Sequence, residues 1–573
     1  MGPPSDPSAL SDPWFAMNTF SHRTRTQNLV RLATEPLDLL VIGGGVTGTG
    51  IAWDAALRGL RVGLLEKVDF GSGTSGRSAR LVHGGLRYLA HLQIGMVYES
   101  SRERRTLLRI APHLVKPLPF LYPLYKGGKD RHFVIRAGMW MYDALAFFRN
   151  IHIHRMLDKG ETLEAEPSVA AEGLLGAAEY YDAHVDDARL TLATAQAAHR
   201  AGALVANHVR VISFLRDDGG QISGVTACDE STDKEMHITA RVVVNATGVW
   251  ADELMGMDEP HAERLSPTKG IHIVVDRQRL ANRHAIVFTS PRDERMLFLV
   301  PWGHLAYIGT TETDYDGSLD RPYATAEDVE YLLEVTNLAF PNARLTTDDI
   351  ISTWAGVRPL IGDAEEEDAY DVSREHEIFE SETGLISIAG GKLTTYRHMA
   401  EQIVDRVVAR LAACCGVGGF QECTTDAIPL DPMPLTELRR LVDTGGHNTT
   451  TACPPEVVDH LVGRYGSRYC GVLQRITDEL ALGEPIVPGL PYLWAEVDHA
   501  LAEEMAVTLP DVLVRRIPLI YTAADQGLDV ARSVAERLAA ALGWDEAETA
   551  RQLAAYRDEV ALTRLYRLGH GGS

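Results

Sequence analysis

The sequence is short of cysteine, of positive charge and of long apolar runs, and each shortage closes off a class of protein. Six cysteines in 573 residues cannot make a disulfide framework. Five of them (Cys414, Cys415, Cys423, Cys453 and Cys470) fall in one C-terminal stretch, but no two form a C-x-x-C pair. Reduced thiols therefore fit better than a metal site, and none is expected. Lysine and arginine number 55 against 79 aspartates and glutamates, a formal charge of −24. Such a chain repels phosphate backbones, which argues against a nucleic-acid partner. No stretch approaches the run of about 18 uncharged apolar residues that a membrane span needs. The opening residues, MGPPSDPSALSDPWFAMNTF, lack the cationic start and apolar core of a secretory signal. Their proline, serine and aspartate read as part of a disordered leader over residues 1–36, and the chain is expected in the cytoplasm.

What is present is an ordinary globular composition, 45% hydrophobic and 23% charged, in a chain too long for one core. DLLVIGGG (38–45) is an apolar strand entering a glycine turn. VTGTGIAWDAALRGL then reads as a helix ending at Gly59, and RVGLLE (61–66) as a second buried strand. Together they open a doubly wound parallel sheet. Residues 187–201 read as a helix, followed by strand-like runs at 203–215, 222–228 and 236–245 that end in VVVNATGVWAD. Between about 265 and 310 the runs IHIVVD, HAIVFTS, RMLFLVP and LAYIGTTET alternate as an antiparallel sheet would, pointing to a separate substrate domain. GLISIAGGKLTTY and the helical run after it (384–413) return to strand, glycine turn and helix. The spacing thus predicts an α/β nucleotide-binding domain interrupted by insertions. A linker (414–434) leads to a helix-rich tail (435–573).

Gly43, Gly45 and Gly48 form G-x-G-x-x-G between strand and helix. The chemistry needs a tight turn, a backbone close enough to touch a pyrophosphate, and free helix N–H groups facing the phosphates. Glu66 ends the second strand where it can accept from ribose hydroxyls and repel a 2′-phosphate. This pattern predicts a dinucleotide but does not separate FAD from NAD. VVVNATGVWAD and ISIAGGKLTTY resemble the late motifs of flavoproteins with the glutathione-reductase type of fold, which favours FAD. A helix starting after Gly391 would aim N–H groups at the flavin edge that gains negative charge on reduction. Ser75, Ser78, Gly248, Gly390, Gly391 and Thr394 complete the candidate cofactor set.

The stretch SGTSGRSARLVHGGLRYLAHLQIGMVYESSRERRTLLRIAPHLV (72–115) resembles the signature of FAD-dependent glycerol-3-phosphate dehydrogenases, within the D-amino-acid oxidase superfamily. SPTKGIHIVV, LFLVPWGHLAYIGTTETDYDG, WAGVRPLI and GGKLTTYRHMAE follow in the family's order. The resemblance covers about residues 37–413, and the tail, with LPDVLVRR, is similar to the family's C-terminal domain. It implies a glutathione-reductase-type FAD domain built from about 37–115, 182–262 and 384–413. The substrate domain would come from about 116–181 and 263–383. It also implies a reaction: hydride passes from C2 of sn-glycerol 3-phosphate to flavin, giving dihydroxyacetone phosphate, and a quinone takes the electrons. Arg87, Tyr88, Arg358, Arg374 and Lys392 are the candidates for binding the phosphate, since an arginine fork or a lysine point charge suits its oxygens. His272 is the leading proton acceptor and His83 the second, with Arg358 and Lys392 able to help by lowering the alcohol's pKa. Two relatives stay open: an oxidase that returns electrons to oxygen, and an amine or amino-acid oxidase, against which the many cations argue. A homodimer is compatible with the resemblance.

Residues 129–155, KDRHFVIRAGMWMYDALAFFRNIHIHR, are basic within an acidic chain. Phe133, Ala137, Trp140, Met141, Ala144 and Phe148 recur at helical spacing beside Arg131, Arg136 and Arg149. Such a helix either lies in an anionic lipid interface, at the inner face of the cell membrane, or packs on the substrate domain.

Overall fold

The computed structural model describes residues 19–86, 93–127, 132–362, 375–444 and 453–571. The strand Leu37–Ile42 is buried at all six positions, as a strand covered on both faces must be. It pairs in parallel with Val62–Leu65 on one side and Lys234–Asn245 on the other. Leu385–Gly390 extends the sheet beyond Lys234–Asn245, and Leu204–Ala206 extends it beyond Val62–Leu65. An antiparallel edge strand, His376–Glu380, closes one side. The helices Val46–Leu57, Asp187–Arg200 and Tyr396–Cys415 share one core with this sheet, through Ile51, Leu190 and Ile403 among others. Segments far apart in sequence thus build one dinucleotide-type sheet.

The second sheet has ten strands, nearly all antiparallel, with one parallel contact between Ala285–Thr289 and Val115–Tyr125. Next to one of its edges, Thr268–Asp276 lies between Leu305–Gly309 and Ile350–Arg358. The tail is helical from Leu435–Thr444 to Glu546–Leu562. Buried ion pairs fasten it to the first sheet's domain. Asp69 accepts from Arg515 (2.6 Å) and Arg516 (3.0 Å), Arg189 pairs with Glu504 at 2.6 Å, and His208 meets Asp511 at 3.0 Å. Among the described residues, no helix is long and apolar enough to cross a membrane.

The reading of residues 1–36 as a disordered leader needs correcting. Residues 1–18 lie outside the described residues, but His22–Thr34 is an α-helix, capped by Ser21, whose Oγ accepts from Thr24 N at 3.3 Å. Its inner face is polar, which hid it from an apolar-periodicity reading. Asn28 donates to Val205 O at 2.9 Å and Arg25 to Asn207 O at 2.8 Å, covering carbonyls beside the edge strand Leu204–Ala206. Arg25 also pairs with Asp229 at 2.5 Å, both side chains being buried.

Candidate cofactor and active site

The glycine turn is dictated by contact as well as conformation. Gly43 has φ +110°, and its N–H donates to Leu65 O at 2.8 Å. A Cβ at Gly48 would stand 1.9 Å from Gly43 O, so only glycine lets the helix start this close to the strand end. Gly45 caps that helix, and Val46 N donates to Ser75 Oγ at 2.9 Å. Glu66 is buried and takes two backbone donors, Gly44 N at 2.6 Å and Val68 N at 2.9 Å. Burial pushes its carboxyl pKa up, while those two donors favour the carboxylate.

A cavity of about 260 Å³ runs along the C-terminal ends of four neighbouring strands. It passes from Glu66 and Lys67, across Gly43, Gly45, Ser75, Ser78 and Gly248, to Gly390, Gly391 and Lys392. Three inter-strand gaps span about 14 Å, the reach of an extended dinucleotide rather than a mononucleotide. Leu393 also lines it and begins a 3-10 turn, Leu393–Thr395, that runs into the helix Tyr396–Cys415. The helix thus starts next to the cavity, where its free N–H groups favour negative charge. Ser78 lines the cavity, yet its N–H and Oγ–H both donate to Asp187, at 2.9 and 2.7 Å. The serine there orders the loop.

His272 is buried in the strand Thr268–Asp276, its ring stacked on Trp354 at 4.6 Å. Burial, then the charges of Arg358 and Arg80, push its pKa down to about 3, so the imidazole is neutral. Arg358 ends the strand Ile350–Arg358 and donates to Thr310 Oγ1 at 3.0 Å and to Thr311 O at 3.2 Å. A Cβ on Gly270 would lie 2.3 Å from the Arg358 Nη2, so the neighbouring strand is bare where the guanidinium crosses it. The next residue, Pro359, lines the cavity. His83 N donates to Thr394 Oγ1 at 3.3 Å, joining the HGG stretch to the start of the last helix. Arg87, Tyr88 and Arg374 lie outside the described residues.

The residues that sequence reasoning passed over are the aromatic and cationic ones around His272 and the first strands' ends. Trp354, Tyr307 and Arg80 surround His272, and Arg80 lies over the Trp354 ring at 5.1 Å. Trp354 and Arg358 stand four apart on one strand and so share a face, a signal present in WAGVRPL. Lys67 and Trp250 line the cavity beside Glu66, and nothing local marks them as partners. Asp69, His208 and Asp511 bring their ligand atoms within 4.8 Å of one another, but Arg515 and Arg516 neutralise this group, which makes it an ion-pair network.

A parallel sheet with a glycine turn, an acid at the second strand's end and a helix start at the cavity's far end marks a dinucleotide-binding protein. The sequence profile described as FAD dependent oxidoreductase matches residues 38–397, and that of the C-terminal domain of alpha-glycerophosphate oxidase matches 382–549. The chain is 37% identical to the aerobic glycerol-3-phosphate dehydrogenase of Staphylococcus aureus (strain MRSA252), over 95% of this chain and 97% of that protein. It is also similar to the crystal structure of the glycerol-3-phosphate dehydrogenase from Bacillus halodurans complexed with FAD. There the TM-score is 0.79 and the identity 35%, covering 95% of this chain and 98% of that one. L-alpha-glycerophosphate oxidase from Mycoplasma pneumoniae, with FAD bound, shares the fold at 18% identity and a TM-score of 0.52, over 68% of this chain and 97% of that one. The chain belongs to the FAD-dependent oxidoreductases, among the glycerol-3-phosphate dehydrogenases of that family, and its cofactor is FAD. The bare cradle between Gly43 and Gly48 and the cavity's length both fit that group.

Proposed function

We propose that the protein oxidises sn-glycerol 3-phosphate to dihydroxyacetone phosphate and passes the electrons to a quinone. FAD, when bound, supplies the hydride acceptor. What supports the reading is a pair of cations near the Gly390–Gly391 end of the cavity, the end this reading gives to the flavin. Lys392 lies in its wall, and Arg358 is fixed by Thr310 and Thr311 one residue before the wall resumes at Pro359. The Arg358 fork suits phosphate oxygens, and Lys392 adds a point charge. By resemblance, Arg87, Tyr88 and Arg374 join them. His272 accepts the hydrogen bond of the C2 hydroxyl and takes its proton as hydride leaves. The Arg358 charge opposes a proton on His272. A phosphate dianion paired with Arg358 cancels that charge, so substrate binding itself raises the proton affinity of His272. His83, beside Thr394, contacts the flavin in this reading.

The quinone assignment draws on the helix His132–Leu145, which buries Met139 and Tyr142 and leaves Phe133 (66%), Trp140 (50%) and Met141 exposed. Phe147 and Phe148 extend that apolar face, and Arg136 and Arg149 are exposed beside it. An apolar face rimmed by arginine suits a seat on anionic lipid, where a quinone dissolves. The test has two stages. Anaerobic glycerol 3-phosphate should bleach the flavin absorbance, whereas glycerol should not. The reduced enzyme should then be reoxidised by a soluble quinone faster than by oxygen. Failure to bleach overturns the substrate, and peroxide formation at the quinone's rate makes the protein an oxidase.

A further inference from the structure

Beside Glu66 the cavity wall carries residues that neither hydride transfer nor phosphate binding uses. The Lys67 ammonium sits 4.0 Å from the centroid of the Trp250 ring. The same Nζ donates to Asp320 Oδ1 at 2.5 Å. A Cβ built on Gly73 would lie 3.0 and 3.2 Å from Cζ3 and Cη2 of that indole, so Trp250 is also packed against the cavity-lining loop. The Trp250 Nε1–H is buried with no hydrogen-bond partner among the described residues, as a donor reserved for a bound group would be. Lys67 follows the second strand of the dinucleotide sheet, and Trp250 stands in the turn after Lys234–Asn245. Asp320 belongs to the other sheet's domain, in the loop between Thr313–Asp314 and the helix Ala326–Ala339. That loop is braced by Tyr315, whose hydroxyl donates to Ser318 O at 2.8 Å.

We propose that Lys67, Trp250 and Asp320 form a clasp that retains FAD. Lys67 bridges the cofactor wall and the substrate domain, and it has to leave both Trp250 and Asp320 before the adenosine half of the cofactor can leave. Lysine suits the task because one flexible stem brings a single compact charge over an aromatic face and onto a carboxylate together. The Asp320 side chain is 63% exposed and that of Lys67 29%, so the contact is open to solvent ions and weakens with salt. The clasp therefore sets a release rate more than an equilibrium fold.

The test loads the full-length protein with FAD and follows FAD release after dilution, by the return of tryptophan and flavin fluorescence, with no substrate present. Lys67→Ala and Asp320→Asn should each speed release about three- to tenfold. The double variant should release FAD no faster than Lys67→Ala, because the two side chains act as one unit. Added salt should speed release from the unaltered protein and leave the variants nearly unchanged. Thermal melts of the FAD-free proteins should coincide, which separates a clasp from a general loss of stability. Wild-type release rates in both single variants, or fully additive effects, would overturn the proposal.

Discussion

Trp354 and His272 stack with ring centroids 4.6 Å apart and planes 14° from parallel, and the same indole donates its Nε1–H to Ser78 O at 3.1 Å. One side chain thereby ties the proposed proton acceptor to the loop that lines the cofactor cavity. Tyr307 repeats the device, meeting the His272 ring edge-on at 5.9 Å while its hydroxyl donates to Ala79 O at 2.9 Å. Trp354→Phe keeps a ring against His272 and loses the bond to Ser78. It should cost about 1 kcal/mol of stability and slow anaerobic flavin reduction several-fold. Unchanged reduction kinetics in that variant would show that the loop and His272 are positioned independently.

The glycine turn separates two outcomes. A Cβ at Gly48 collides with Gly43 O inside the protein, whereas one at Gly45 meets only Ser75 Oγ, at 3.2 Å. Gly48→Ala should therefore unfold or fail to accumulate. Gly45→Val should fold but purify colourless, because its side chain occupies the place of the pyrophosphate. A yellow Gly45→Val protein with an ordinary flavin spectrum would contradict the placement of the cofactor.

In the proposed function, Arg358 and Lys392 make the enzyme selective for a phosphorylated substrate. Glycerol lacks the dianion that the Arg358 fork and the Lys392 charge would bind, so it should be poorer by about a thousandfold or more in kcat/KM. Arg358→Lys keeps the charge and loses the fork, and should recover only part of what Arg358→Ala loses. Single-turnover flavin reduction with both substrates measures this. Equal rates for glycerol and glycerol 3-phosphate would remove the assignment.

Four buried histidines set an acid limit on stability. Burial pushes His272 and His499 down to about 3, and His113 and His184 down to about 4, from the ordinary 6.5. A lowered histidine pKa means that the unfolded chain binds the proton first. The stabilising effect of the neutral ring is thus complete above pH 6.5 and is lost as the pH falls towards 4. Each histidine contributes a slope of up to about 1.4 kcal/mol per pH unit in that window. Calorimetry should show the melting temperature falling steadily from pH 6.5 to 4.5, and a flat profile would mean these rings are protonated in the fold.

Lipid binding tests the exposed helix. Arg136→Glu with Arg149→Glu should weaken sedimentation with anionic liposomes, by about 1 kcal/mol for each charge lost and more for each reversed, while leaving flavin reduction by glycerol 3-phosphate intact. Phe133→Ser and Trp140→Ser should weaken binding to neutral and anionic vesicles alike, since they remove apolar contact. Sedimentation unchanged in all four would assign the face to something other than lipid.

The parts of this protein legible in its sequence are those whose chemistry is local. A strand, three glycines at 43, 45 and 48, a helix and an acid at 66 make a phosphate turn by themselves, because each requirement is met within one βαβ unit. The polar helix His22–Thr34 was not legible, since what stabilises it is a set of hydrogen bonds to Val205 and Asn207, far along the chain. The packing of Trp354 and Tyr307 on His272 depends on the register of three strands, which no single strand encodes. Lys67 meets Trp250 because their strands flank a third in one sheet, and it meets Asp320 because a loop of the other sheet's domain reaches it. Local conformational demands thus determined the cofactor class from sequence alone. Which side chains surround the cofactor, and what holds them, was decided by long-range packing, where the free energy comes from contacts between residues that the linear order keeps apart.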